Sequence, residues 1–251
     1  MATYNISAGQ LKAEGILNSF EIPAVGSFSN LYSLSFDGVD DYVDCGSTSY
    51  LLNLSQFSVS LWAKQTTATT NECFISDWGY NSAGNFAIQT TTVSGNATKI
   101  VGAIRGLGGS VHTFTTQNYI FTENVWNHIV ITFNSGTPNI YINGTSQTLS
   151  SSSLPTSLVY SNGLMNIGRF RGLGRNFEGE IDEVGVFNSE LSASDVTAIY
   201  NSGVPNNLND LSTPPLSWWR FEEGSGTTAI KNVNLQFNSS TIKRRRNFKF
   251  V

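Results

Sequence analysis

Glu178-Gly-Glu180-Ile181-Asp182-Glu183 crowds four carboxylates into six residues. Two carboxylates flanking a sugar linkage are the machinery of glycoside hydrolysis, one as nucleophile or base and the other as proton donor. If the stretch is a regular strand, Glu180 and Asp182 share one face and Glu183 takes the other. Other chemistries find less support. There is no Gly-x-Ser-x-Gly elbow, and His128 lies in a strand-like run beside Trp126, where a hydrogen-bonded structural histidine is expected. Gly106-Leu-Gly-Gly109 precedes a β-like run rather than a helix, so it does not cradle phosphate. Cys45 and Cys73 cannot complete a zinc site with only His112 and His128, and two cysteines form no disulfide framework. Buried free thiols are expected.

Binding without chemistry has its own candidates. Asp77-Trp78-Gly79-Tyr80-Asn81 sets two aromatics beside a carboxylate and an amide in a loop, the tools for stacking on a sugar ring. Arg105 and Arg171 stand in two similar Gly-rich loops, Arg105-Gly-Leu-Gly and Arg169-Phe-Arg171-Gly-Leu-Gly, that could offer guanidiniums to anionic glycans. Trp62 and Trp126 fall inside strand-like runs and are expected in the core.

The elements carrying these residues are strands. Only 13% of the chain is charged and 39% is hydrophobic, which excludes a disordered polyelectrolyte. Ser, Thr and Asn make up about a third of it, a composition that favours turns and solvent-facing strand positions over helices. Apolar residues alternate at Leu34/Phe36 and Phe57/Val59/Leu61, and further strands are expected near 73–76, 85–91, 99–105, 111–116, 127–133, 139–143, 164–168 and 177–187. Asn143-Gly144 marks a tight hairpin. Ser192 and Asp195 can cap one helix, with Gly203 past its end, and a short helix is expected over 11–17. An all-β, two-sheet antiparallel jelly-roll sandwich follows, with extended arms: 1–30 as an N-terminal arm, 31–204 as the sandwich, and 205–251 as linker, extra strand and basic tail. That last segment is too short for a second sandwich, so it packs on the first one or on a neighbouring chain.

Four stretches, in order, resemble a laminin-G-like domain of the concanavalin A-like lectin/glucanase superfamily. They are Ser35-Phe36-Asp37-Gly38-Val39-Asp40-Asp41-Tyr42-Val43, Phe57–Ala63, Trp126–Phe133 with Ile140–Gly144, and Phe177–Val184 with Leu191–Tyr200. The resemblance implies that Asp37 and Asp182 are metal positions, with Asp40, Asp41 or Asp77 assisting, and the ion would be calcium, which takes six to eight oxygens. No other cofactor is expected. The competing account is that these acids cap turns. The glucanases of the superfamily carry Glu-x-Asp-x-x-Glu on one strand; Glu180 and Asp182 fit the first two places, but Gly185 occupies the third. A Trp-Arg-Phe strand, which usually precedes the Phe-Asp-Gly motif in such domains, stands instead at 218–221.

The first 242 residues hold 9 basic and 18 acidic residues, while Lys243–Lys249 adds five positive charges. So acidic a body excludes general nucleic-acid binding. No apolar run is long enough to cross a membrane, and no export signal opens the sequence. A charge-poor, adhesin-like domain without such a signal suits a phage product released by lysis. The expectation is therefore a non-enzymatic virion-surface protein, a head decoration, fibre or tail component. It would assemble as a homo-oligomer with other virion proteins through both arms, and hold host surface polysaccharide. The alternatives are a free carbohydrate-binding module of an adhesin or hydrolase, extracellular or on a cell surface, and a degenerate β-glucanase.

Overall fold

The computed structural model describes residues 28–67, 71–78, 84–93, 97–118, 122–159, 163–171, 173–233 and 236–243. The helix expected over 11–17, Tyr80, Asn81 and the basic run after Lys243 lie outside them.

In chain order the strands begin with β1 (Leu34–Asp37), β2 (Tyr42–Ser47), β3 (Gln56–Gln65), β4 (Cys73–Ser76), β5 (Phe86–Val93) and β6 (Ala97–Arg105). They continue with β7 (Val111–Thr116), β8 (Asn127–Asn134), β9 (Thr137–Ile142), β10 (Thr145–Ser146), β11 (Leu149–Ser151) and β12 (Leu164–Ile167). Then come β13 (Arg169–Phe170), β14 (Arg175–Asn176), β15 (Glu178–Phe187), β16 (Ser217–Trp219), β17 (Thr228–Val233) and β18 (Gln236–Lys243). A helix of eight residues, α1 (Ala193–Tyr200), follows β15.

The architecture is the expected sandwich. One layer has the order β10-β9-β8-β3-β15-β16 and the other β2-β12-β4-β5-β6-β7-β11, antiparallel throughout. Period-two alternation drives it: Phe57, Val59, Leu61 and Ala63 of β3 turn inward and meet the other layer, as where the Phe57 and Phe86 rings lie 5.5 Å apart. The β9–β10 turn is tight because Asn143 and Gly144 both adopt positive φ, 49° and 77°. Ser192 and Asp195 form the expected capping box. The helix ends earlier than Gly203 suggested, at Asn201 in the left-handed conformation with φ 43°.

The arms correct the expected division of the chain. β16 is the permuted Trp-Arg-Phe strand, and it pairs with β15 through Val184↔Trp219 and Val186↔Ser217. The hairpin β17–β18 then carries the hydrogen-bond ladder across to β2, through Thr241↔Asp44 and Lys243↔Tyr42. Trp219, Phe221 and Ala229 enter the main core. Residues 217–243 thus complete the sandwich instead of reaching for a partner, because two tryptophans and a phenylalanine in sequence demand burial and β15 offers an uncovered edge. Residues 28–33 likewise lie on their own chain.

β15 positions the site. β3 covers one edge along its length; the other edge is shared end to end, β1 pairing with Glu178–Ile181 and β16 with Val184–Val186. Asp182 and Glu183 sit at the junction. There the register to β3 slips, from Asp182↔Trp62 to Gly185↔Ser60, and Glu183 adopts φ 50°. This is a β-bulge, one extra residue in β15. Ile181 and Val184 on either side both face the main core. The intervening pair is turned outward together, so Glu183 is not opposite Asp182 as a regular strand would have it.

Candidate functional site

Outside the sheet β8-β3-β15-β16, a second apolar cluster seats α1: Val196 and Ile199 meet Val130, Phe187, Leu208 and Trp218. Beyond the helix's C-terminal end opens a cleft of about 300 Å³, at the small end of ligand-pocket sizes. Its lining includes Asn30, Tyr32, Trp62, Trp126, Glu180 and Asp182. Trp62 is buried and stacks with His128 and Tyr200, at 5.0 and 5.9 Å between centroids. Trp126 stands just before β8, half-buried, and Tyr32 is 41% exposed. Both line the cleft, and neither expected core tryptophan belongs to the main core cluster.

The polar groups are tied down. Glu180 takes Lys64 Nζ at 2.7 Å on Oε1 and Ser33 Oγ at 3.2 Å on Oε2. Asp182 Oδ2 accepts from Asn30 Nδ2 at 2.8 Å, and its Oδ1 accepts from the Glu183 amide at 2.8 Å. Asn30 belongs to a strap, residues 28–33, that forms one wall. Phe28 stacks on Trp218 with centroids 6.1 Å apart, Arg220 donates to the Ser29 carbonyl, and Glu222 receives the amides of Leu31 and Tyr32 at 2.9 and 3.1 Å.

Glu183 points away from the cleft. Trp218 Nε1 donates to it at 2.6 Å and Arg220 Nε at 3.3 Å. Burial pushes its carboxyl up to about 8 against the pull of Arg220, and Asp182, buried beside the Glu183 charge, is pushed up as well. The place of a third glucanase carboxylate is held by Gly185, where a Cβ would stand 2.7 Å from Leu208 Cδ1. His128 is buried, its Nε2 2.9 Å from Ser60 Oγ, and burial lowers it to about 3.

The rim candidates divide. Asp77 is fully buried and accepts from Thr48 Oγ1, the Asn85 amide and side chain, and the Phe86 amide at 2.7–3.1 Å. Trp78 is 7% exposed and packs on Phe170, with the buried Arg105 guanidinium 4.2 Å from its ring centroid. These three, expected to meet ligand, hold the loop to the sandwich, because an indole sandwiched by a guanidinium and a phenyl ring is worth more buried than wet. Arg171 is half-buried. Cys73 is buried and Cys45 half-buried, both free. Asp37, Asp40 and Asp41 bring carboxylate oxygens within 4.8 Å of one another, an all-oxygen set of the kind calcium takes. The same acids cap the turn: Asp37 Oδ1 receives the Val39 amide at 2.9 Å and Asp41 Oδ2 the Asp37 amide at 3.0 Å. Asp182 is not with them, since Asp37 pairs with Glu178, four residues up the strand.

Residues 37–197 match the family profile described as the concanavalin A-like lectin/glucanases superfamily. The chain belongs to this superfamily. Its sandwich is similar to the native heptameric pentraxin, like serum amyloid P, of Limulus polyphemus, with a TM-score of 0.58 at 13% identity over 86% of this chain and 97% of that one. It is similar to the carbohydrate-binding module of the Ruminococcus gnavus IT-sialidase bound to α2,3-sialyllactose, with a TM-score of 0.55 at 15% identity over 69% and 100% of the two chains. A third is domain 4 of an extracellular arabinanase from Geobacillus stearothermophilus in complex with arabinotriose, with a TM-score of 0.52 at 22% identity over 69% and 82%. No curated protein sequence matches the chain. The lectin/glucanase fold was legible from the four motifs; the cleft was not, because the bulge and the strap that build it join β15 to residues that stand 120–125 and 147–152 positions away.

Proposed function

We propose that this lectin/glucanase-superfamily chain is a non-catalytic, lectin-like domain that binds glycan in the cleft bounded by Tyr32 and Trp126, displayed on a larger particle such as the surface of a phage virion. The observation that carries the binding half is the cleft itself: two partly exposed aromatic rings line it together with a carboxylate, an amide and a serine hydroxyl, groups that suit the faces and rims of a sugar ring. Solved relatives in complex with arabinotriose and sialyllactose support it. The non-catalytic half is supported by Gly185, which holds the third glucanase place, and by Glu183, whose carboxyl is closed off by Trp218 and Arg220. A glycan array probed with the full chain is expected to show binding that Trp126→Ala weakens at least tenfold, with no reducing ends released from any β-glucan. Failure to bind any glycan overturns the proposal, as does hydrolysis that Glu180→Gln abolishes.

Display on a particle is supported by the charge-poor surface, by the basic run after residue 242 and by the heptameric state of the Limulus relative. Subunit contacts then fall to residues 1–27 and 244–251. A structural calcium at Asp37, Asp40 and Asp41 is part of the same reading. Added calcium is expected to raise the melting midpoint and chelator to lower it; an unchanged midpoint leaves the three acids as turn caps.

A further inference from the structure

We infer, resting on that reading of the cleft, that it selects uncharged sugars and refuses both acidic and amino-bearing ones. Charge decides against acids. Glu180 and Asp182 line the cleft, and Glu222 holds the strap behind Leu31 and Tyr32. No arginine among the described residues lines it. Arg220, tied to the strap, is engaged by Glu183, the Ser29 carbonyl and the Phe28 ring, 4.5 Å from its centroid. A uronic or sialic acid brought here would meet the Glu180 carboxylate, which already holds the nearest cation, Lys64, and would find no guanidinium fork to receive it.

Lys64 decides against amines. An aromatic face beside a carboxylate is what an ammonium ligand seeks. The chain's own ammonium already stands there, 2.7 Å from Glu180 Oε1 and 5.9 Å from the Trp126 ring centroid. An amino sugar would have to displace it. What remains suits hydroxyl groups. Asn30 Oδ1 is buried and accepts no hydrogen bond from the described residues, while its Nδ2 is fixed on Asp182. It is an acceptor that an incoming O–H could satisfy, in a cleft whose aromatic rings suit the C–H side of a sugar.

Calorimetric titration of the full chain tests this with three sets of probes. The neutral set is cello-, manno-, galacto- and arabino-oligosaccharides, the acidic set sialyllactose and trigalacturonate, and the basic set fully deacetylated chitotriose. Binding is expected within the neutral set alone, weakened at least tenfold in Trp126→Ala. Lys64→Met, which leaves Glu180 without its counter-ion, is expected to bind chitotriose at least tenfold more tightly than the parent does. Binding of an acidic or basic probe to the parent, abolished by Trp126→Ala, overturns the selectivity while sparing glycan binding. No gain of chitotriose binding by a Lys64→Met protein with an intact thermal transition overturns the role of Lys64. Silence across all three sets overturns the glycan reading and this inference with it.

Discussion

At the scale of single residues, the pair Asp182–Glu183 is the most expensive feature of the chain. Two neighbouring carboxyls, 3% and 2% exposed, face outward from one bulge, and among the described residues one guanidinium, that of Arg220, pairs with Glu183. Burial raises both, Glu183 to about 8. For an acid whose folded value is raised, the folded state holds its proton more tightly than the unfolded chain does. The associated stability is complete below the ordinary carboxylate range and is lost as pH climbs through about 8. Each unit of such a shift is worth ~1.4 kcal/mol, so the melting midpoint is expected to fall by several degrees between pH 5 and pH 9. Glu183→Gln keeps an acceptor for the Trp218 indole and removes the titrating group. It should flatten that dependence, which differential scanning calorimetry across pH would read. A variant as pH-sensitive as the parent would move the origin elsewhere.

At the scale of elements, β16 behaves as core. Trp219 is fully buried among residues of both layers, and Trp219→Ala is expected to cost about 3–5 kcal/mol in urea unfolding; a loss below about 1 kcal/mol would mean that β16 is peripheral. Strand positions were legible because the two faces of a strand meet different neighbours, so alternation survives in the residue order: Phe57, Val59 and Leu61 enter the main core, while Ser58 and Ser60 on the other face bond Ser189 and His128. The Asn143-Gly144 turn and the Ser192–Asp195 cap were legible because their physics is local. Pairing was not. Whether Trp218 and Trp219 pack at home or on a neighbour depends on the free edge of β15, which no local pattern records. The bulge at Glu183 is visible only against β3, and it alone puts Asp182 and Glu183 on one side. Trp78 and Arg105 looked like ligand contacts because aromatic and guanidinium groups in Gly-rich loops look the same whether they stack on a sugar or on each other.

At the scale of the whole molecule, the hydrogen-bond ladder runs from β10 through β18 to β11 without a break, so the described part of the chain leaves one layer continuous with the other. Removing residues 1–27 is therefore expected to leave melting and glycan binding within experimental error of the parent while ending incorporation into the particle. Size-exclusion with light scattering and a particle co-sedimentation assay would separate the two; normal incorporation would remove the docking role from that segment. Cutting at residue 33 instead should also impair the cleft, since the strap goes with it.

The ladder from β2 to β18 joins Tyr42 to Lys243. During synthesis, β2 meets its first partner, β12, near residue 164, but must wait until about residue 241 for its second, β18. Until then β15 keeps half an edge bare, and the nascent chain exposes the slot meant for Trp219. Acquisition of the native state is thus expected to be slow, and a chain stalled shortly before residue 217 would be a substrate for chaperones or for aggregation.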